Sequence, residues 1–303
     1  MSLLSQIDTG IKILPQIYVF HASPGVGKTT FASQFESPLI LDLEDGAKNL
    51  DVDRLGSDRI PDYKTLLKVI DELATTNNKY KTIVIDSATV LERMVHQYLM
   101  DQDGKAKSIE DVGGGFGKGH SAARSELQMF MMKLRVLAKK YDIVICAHSQ
   151  VKKFTDPITN SAYDRYVIQT NEKFAEILTS ASDNVFFFKH NVSTMLDQKT
   201  KKTQAFLGGG RIMMTEWSPA YEAKSRLAIP GQLPLDYKAF AKAKEEAKPK
   251  TAVELKEIIR TLLSTQDEKA QEFIIEKVKA AGDDIQALTR IRTKLSEMVG
   301  AQA

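Results

Sequence analysis

The stretch SPGVGKTT, at residues 23–30, does most to narrow the folds open to this 303-residue chain. It follows the apolar, β-branched and aromatic run IYVF (17–20) and opens into TTFASQF, which reads as the start of a helix. Strand, glycine-containing turn and helix, in that order, are the context a P-loop requires. Gly25 and Gly27 let backbone N–H groups turn inward around phosphate oxygens. Lys28 reaches the β- and γ-phosphates, and the Thr29 hydroxyl is placed to ligate Mg²⁺. Ser23, Pro24, Val26 and Thr30 complete the loop. Ala22 stands where such loops usually begin with glycine, so the backbone there must tolerate a methyl group. ATP and Mg²⁺ are the expected ligands. No Asn-Lys-x-Asp motif supports guanine, since NNKY (77–80) lacks the aspartate.

Further short apolar runs follow: PLILDLE (38–44), YKTIVIDS (80–87), YDIVICAHS (141–149) and DNVFFFKH (183–190). Runs of this length suit parallel strands covered on both faces. Helical stretches lie between them, notably 88–100 and 121–140. The alternation predicts an α/β fold with a mostly parallel central sheet flanked by helices. KTQAFLG (202–208) and RIMMTEW (211–217), separated by GGG, read as a hairpin of two more strands. The charged, alanine-rich stretch 241–250 reads as a linker. Beyond it TAVE (251–254) and TQDE (265–268) are capping-box patterns, and Gly282 and Gly300 would end the second and third of three helices. Ile258, Leu262, Phe273, Ile274, Val278, Ile285, Leu288, Ile291 and Leu295 supply the apolar spacing of a small bundle. The expected organisation is a core over 1–240, with 1–16 as an N-terminal segment, then the linker and a helical region over 251–303.

Lysine plus arginine exceed aspartate plus glutamate by only 42 to 39, so overall charge implies no nucleic-acid partner and any such surface must come from local clustering. The single cysteine, Cys146, excludes an internal disulfide and gives no sign of a zinc site. No leader pattern or membrane-length apolar run appears, so a cytoplasmic protein with no membrane partner is expected.

An aspartate at the end of an apolar strand after a P-loop is a second magnesium-site residue, which makes Asp86 in TIVIDS the candidate. Glu44 follows the run LILDLE. A carboxylate at the edge of a strand beside the P-loop strand can orient an attacking water, and the alternative is an acidic turn made with Asp42 and Asp45. His148, at the end of IVICAHSQ, lies where ligands meet such sheets.

The order of these motifs resembles the RecA-like ATPase core, and more closely the compact phage-encoded RecA-like proteins that promote single-strand annealing, the Sak-type group. The resemblance covers about 15–235. It implies that Glu44 polarises the attacking water and that His148 occupies the nucleotide-sensing position, where RecA has glutamine; Gln150, two residues on, is the other candidate. It also implies host cytoplasm as the compartment, if the chain is phage-encoded. In RecA-like proteins a basic pair just before an A-P or L-P ending crosses the subunit interface to the neighbour's γ-phosphate. In AKSRLAIP the matching residues are Lys224 and Arg226, which have no acidic stretch nearby and would share one side of a strand, with Glu222 as their alternative local partner. ATP at the interfaces of a homo-oligomer, filament or ring, is the consequence.

Two stretches read as mobile loops able to meet single-stranded DNA. Residues 101–124 carry Lys105, Lys107, Lys118 and Arg124 among glycines. Residues 151–166 interleave Lys152, Lys153 and Arg165 with Phe154 and Tyr163. Cations can track phosphates while aromatic faces stack on bases, and the resemblance places such loops along the DNA axis. The expected function is a single-stranded-DNA-stimulated ATPase that assembles on single strands and promotes recombination or annealing. The alternatives are an ATP-gated annealing protein with slow or dispensable hydrolysis, a small-molecule phosphotransferase, and a helicase-type motor. For the tail three readings stay open: regulating DNA access, binding a single-strand DNA-binding protein, or capping the fold.

Overall fold

The computed structural model describes residues 14–196, 203–248, 250–264, 266 and 268–300. They form two compact units that part between Ala247 and Lys248.

The first unit is built on one sheet. Its strands are β1 (Ile17–Ala22), β2 (Pro38–Asp42), β3 (Asp53–Gly56), β4 (Thr82–Asp86), β5 (Asp142–Thr155), β6 (Ala162–Ile168), β7 (Asn184–Leu196), β8 (Thr203–Met214) and β9 (Gln232–Pro234). They lie in the order β3-β2-β4-β5-β1-β7-β8-β9, with β6 paired to β5 alone. From β3 to β7 every neighbouring pair is parallel; β7–β8 and β8–β9 are antiparallel. This is the expected α/β architecture: a mostly parallel central sheet flanked by helices.

Alternation along β1 shows why both faces are covered. Ile17 and Val19 join a core with Leu41, Ile85 and Ile145, while Tyr18 and Phe20 join a second core with Val84, Val144 and Phe186. The first face is covered by α2 (Tyr63–Thr75), α3 (Ala88–Asp103), α4 (Lys118–Leu137) and α5 (Glu172–Ala181), through residues such as Ile70, Leu91, Phe130 and Leu178. The second carries α1 (Lys28–Ala32) and α6 (Tyr237–Glu246). There Phe20 stacks on Phe186 at 5.8 Å and meets Phe31 of α1 edge-on at 5.5 Å. Each such ring, fully buried, is worth about 1.5–3 kcal/mol. The P-loop is thereby fixed between a buried strand and a helix pinned by aromatic packing.

Several elements differ from the sequence reading. The GGG segment does not turn: β8 runs through it, and the hairpin partner is β7. The described part of that strand starts at Thr203. Residues 241–246 of the stretch read as a linker belong to helix α6, whose Phe240 and Ala243 are buried and whose N-terminus is capped by the Asp236 side chain on the Ala239 N–H. Alanine and alternating charge suit a solvent-facing helix with an apolar stripe as well as they suit a linker. Residues 151–166 are a β5–β6 hairpin with continuous antiparallel pairing from Ser149↔Ile168 to Thr155↔Ala162. β2 does not neighbour the P-loop strand, since β4 and β5 lie between them.

The second unit contains α7 (Ala252–Leu263), α8 (Glu268–Ala281) and α9 (Ile285–Gly300). The Thr251–Glu254 capping box is formed, and Gly282, at φ 55, ends α8. Thr265 lies outside the described residues. The core uses Leu255, Ile259, Leu263, Ile274, Leu288 and Leu295, whereas Phe273 and Ile285 are exposed.

His21 is fully buried inside β1 and packs on Phe187. Its Nε2 lies 2.7 Å from the Glu222 carbonyl, which can only accept, so Nε2 carries the proton and Nδ1 accepts from the Ser149 hydroxyl at 2.9 Å. Burial lowers its pKa from 6.5 to about 4. The unfolded chain therefore takes up this proton at a pH where the folded chain still refuses it. The stability contribution is complete above pH 6.5 and is lost as pH falls toward about 4. The full loss is about 3 kcal/mol. Denaturant unfolding at about pH 7 and about pH 5 should show a drop in midpoint that is much smaller in His21→Asn. Equal drops in both proteins would contradict this.

Candidate nucleotide site

The parallel ladders bring the C-terminal ends of β1, β2, β4 and β5 to one edge. Ala22 stands beside His148, Asp86 beside Cys146, and Asp42 beside Asp86. In such sheets this edge is where ligands bind. Leaving β1, the loop takes Gly25 at φ 79 and Gly27 at φ 109, a region open to glycine without strain. Ser23, Pro24, Gly25 and Thr30 are exposed, Gly27 and Thr29 are half-buried, and Val26 and Lys28 are buried.

Lys28 Nζ donates to the Ala22 carbonyl at 3.3 Å and to His148 Nδ1 at 3.4 Å. With Nδ1 accepting, His148 Nε2–H donates to Glu44 Oε2 at 3.1 Å. The Ser87 hydroxyl donates to the other oxygen, Glu44 Oε1. Four side chains, each on or just after a different strand (β1, β5, β2 and β4), thus form one hydrogen-bonded line. Glu44 reaches it although two strands separate β2 from β1. The hydrogen bond from His148 holds the Glu44 carboxyl below its ordinary pKa, with Ser87 and the Lys28 charge adding to it against partial burial. Burial lowers the Lys28 pKa, and the nearby negative charges oppose that shift. Asp42 and Asp45 do not join the line: Asp42 accepts from the Gly46 and Ala47 N–H groups, and Asp45 pairs with Ser57 and Lys48.

Beside this line the Thr29 hydroxyl donates to Asp86 Oδ2 at 2.5 Å. Burial raises the Asp86 pKa and the Thr29 hydrogen bond opposes it. Two hard oxygen donors held side by side next to a phosphate loop suit Mg²⁺, which takes few protein ligands and leaves the remainder to water and phosphate. Among the described residues no cluster of three or more His, Cys, Asp or Glu side chains forms a metal site. Cys146 is buried, and burial raises its thiol pKa, so it stays protonated and inert.

One neighbour of the loop had no sequence signal. Arg211 of β8 donates from Nη1 to the Val26 carbonyl at 2.7 Å. A Cβ on Gly27 would collide with the same atom. With GGG read as a turn, the arginine after it had no reason to face the P-loop.

The basic pair does not join the cluster. Asp183 sits at the opposite end of β1, its carboxylate accepting from the Ile17 N–H at 2.9 Å. Arg226 pairs with it at 2.9 Å and Arg135 at 3.0 Å. Lys224 Nζ donates to the Ser180 carbonyl at 3.4 Å. The expectation that the pair lacks a local acid is therefore corrected: the acid stands 43 residues away in sequence. Nor do the two share a regular strand, since Lys224 makes an isolated bridge to Val185, and Glu222 faces Arg165 rather than Lys224.

The second basic stretch is gathered onto one hairpin face. Lys152 is opposite Arg165 and Phe154 opposite Tyr163, so these four share a face, whereas Lys153, opposite Asp164, is on the other. Phe154 and Tyr163 stack at 6.3 Å, and the Arg165 guanidinium lies over both Phe154 and the exposed Trp217, the latter at 5.7 Å. No sequence pattern marks Trp217. The first stretch is less open than expected: Ile109 and Val112 are buried, Asp103 accepts from the Gly113 N–H, Lys118 begins α4 and Arg124 lies within it. Lys105 and Lys107 stand between α3 and α4.

An α/β core whose first strand enters a P-loop, with a Thr–Asp oxygen pair at the same sheet edge, defines a P-loop NTPase, a class that implies nucleotide binding. A family profile described as AAA domain matches residues 15–227, and the chain belongs to that family. No curated protein sequence matches the chain. Among solved structures it is similar to the RadB recombinase, described as "Crystal structure of the RadB recombinase", at 12% identity and a TM-score of 0.38, covering 73% of this chain and 87% of that one. No described helix is long and apolar enough to cross a membrane.

The Glu44 shift is directly measurable. In a carboxyl-carbon NMR titration Glu44 should titrate below ordinary glutamates, and His148→Ala should move it up toward them. An ordinary value in the native protein would contradict the geometry.

Proposed function

We propose that the chain is a Mg²⁺-dependent ATPase of RecA-like type, stimulated by single-stranded DNA, that assembles on single strands and promotes recombination or annealing. The observation that carries this reading is the continuity of β5. Its fourteen residues bear His148, in contact with Lys28 and Glu44, and then Lys152 and Phe154 of the cation–aromatic face. A nucleotide-dependent change at His148 has a short, hydrogen-bonded route to that face.

Lys28 binds the β- and γ-phosphates, and Thr29 and Asp86 hold Mg²⁺. The ion, when bound, offsets charge on the phosphate oxygens. Glu44 orients a water in line with the γ-phosphorus. The water oxygen forms the new P–O bond as the bond to the β–γ bridging oxygen breaks, ADP leaves, and the water proton passes to phosphate. A carboxylate with both oxygens already accepting hydrogen bonds and a depressed pKa suits orientation of water better than proton abstraction. The same feature favours a second reading, an ATP-gated binding protein in which hydrolysis is slow or dispensable.

Lys152, Phe154, Tyr163 and Arg165 form the single-strand surface, with Lys153 on the reverse face. Lys105, Lys107, Lys118 and Arg124 form a second basic region. Arg226, 63% exposed at the far end of β1, is where a neighbouring chain's ATP would be met in a homo-oligomer, together with Lys224.

The test is ATP turnover with and without single-stranded DNA across a salt series, in the native chain and Glu44→Gln. Stimulation that fades with salt is expected, with turnover in the variant lower by about 100-fold or more. Loss of turnover with full annealing selects the second reading. Absence of both stimulation and salt-dependent DNA binding refutes both.

A further inference from the structure

Arg211 is delivered to the P-loop by an irregularity in the β7–β8 ribbon. Pairing runs Val192↔Leu207 and then His190↔Arg211, so Gly208, Gly209 and Gly210 oppose the single residue Asn191. Gly209 and Gly210 have φ of 87 and 71. Bulges of this kind re-aim the side chains beside them. Arg211 is exposed, and its guanidinium lies against Gly27, with Nη1 bonded to the Val26 carbonyl at 2.7 Å. No ion pair to Arg211 is found among the described residues.

Such a placement leaves most of the guanidinium's donors open beside the P-loop. An arginine is a five-donor cation, and a single carbonyl satisfies one of those donors. A planar, permanently charged fork matches phosphate in a way that no neutral donor does. The directions of approach are complementary. Lys28 is bonded to His148, on the β5 side of β1, whereas Arg211 arrives from the ribbon on the β7 side. Lys28 takes the β- and γ-phosphates, which leaves the preceding part of the phosphate chain to the side on which Arg211 stands.

We propose that Arg211 is a phosphate ligand acting within its own chain, contacting the α- and β-phosphates of the nucleotide held by the P-loop. This rests on the ATP-binding reading above. It makes Gly27 necessary twice, for its backbone conformation and for the space the guanidinium occupies. It also ties the β7–β8 ribbon to nucleotide occupancy. Because both nucleotides carry these two phosphates, ADP and ATP should depend on Arg211 alike.

The experiment is equilibrium binding of fluorescent ADP and ATP to the full chain and to Arg211→Ala, Arg211→Gln and Arg211→Lys, with the melting temperature of each protein measured without nucleotide. Glutamine keeps a neutral donor for the Val26 carbonyl; lysine keeps the charge. Alanine and glutamine should weaken both ligands by about 10-fold or more, as loss of a charge-assisted hydrogen bond does, while lysine recovers most of the affinity and melting temperatures stay the same. Wild-type affinity in Arg211→Ala or Arg211→Gln would overturn the proposal. So would a lower melting temperature in Arg211→Ala that glutamine restores, since that marks a brace. If the native chain binds neither nucleotide, the ATP reading fails and this proposal with it.

Discussion

The parallel pairing of β1 with β5, which sets Ala22 beside His148, is the contact on which the rest of the site depends. Ala22 is the last residue before the P-loop, and His148 is the residue to which Lys28 and Glu44 both bond. A slip of one residue in this register would turn His148 to the opposite face of the sheet and break the line at its centre. The register is secured by the residues beneath it. Tyr18, Phe20, Val144 and Cys146 lie in one core, and Val19, Ile143 and Ile145 in the other, all fully buried. Core packing and site geometry are thus one constraint.

Much of this was legible because buried parallel strands announce themselves as apolar runs, and a P-loop between strand and helix has few other uses. TIVID and DIVICAH marked the strands that carry Asp86 and His148, and residues 23–27 join β1 to α1. What failed depended on partners remote in sequence. Glu44 was expected on a strand next to β1, since one chain does not display strand order; the side chain joins the cluster across two intervening strands through His148 and Ser87. Three glycines looked like a turn because glycine permits φ > 0 in turns and bulges equally, and only the register against β7 distinguishes them. The sequence therefore carries no sign that Arg211 faces the P-loop.

The basic pair shows the same limit. Lys224 and Arg226 seemed to lack an acid because none stands nearby in sequence, but Asp183 is brought to Arg226 by the start of β7. The Asp183 carboxylate is nearly buried and accepts from two arginines and a backbone N–H, so it acts as a hub at the sheet end away from the P-loop. The residues read as a loop over 151–166 are better ordered than composition suggested, since Phe154, Tyr163 and Arg165 pack on one another across a hairpin.

In the proposed function β5 is the link between nucleotide and DNA strand: one element touches Lys28 at His148 and carries the cation–aromatic face a few residues on. Linkage requires that nucleotide and DNA then alter each other's affinity. The most direct measurement is the affinity of the chain for a short single-stranded oligonucleotide, with and without a Mg²⁺ complex of a non-hydrolysable ATP analogue. The analogue should change that affinity about 5-fold or more, and His148→Ala should abolish the change while leaving binding without nucleotide intact. The same affinity with and without the analogue in the native chain would contradict the account.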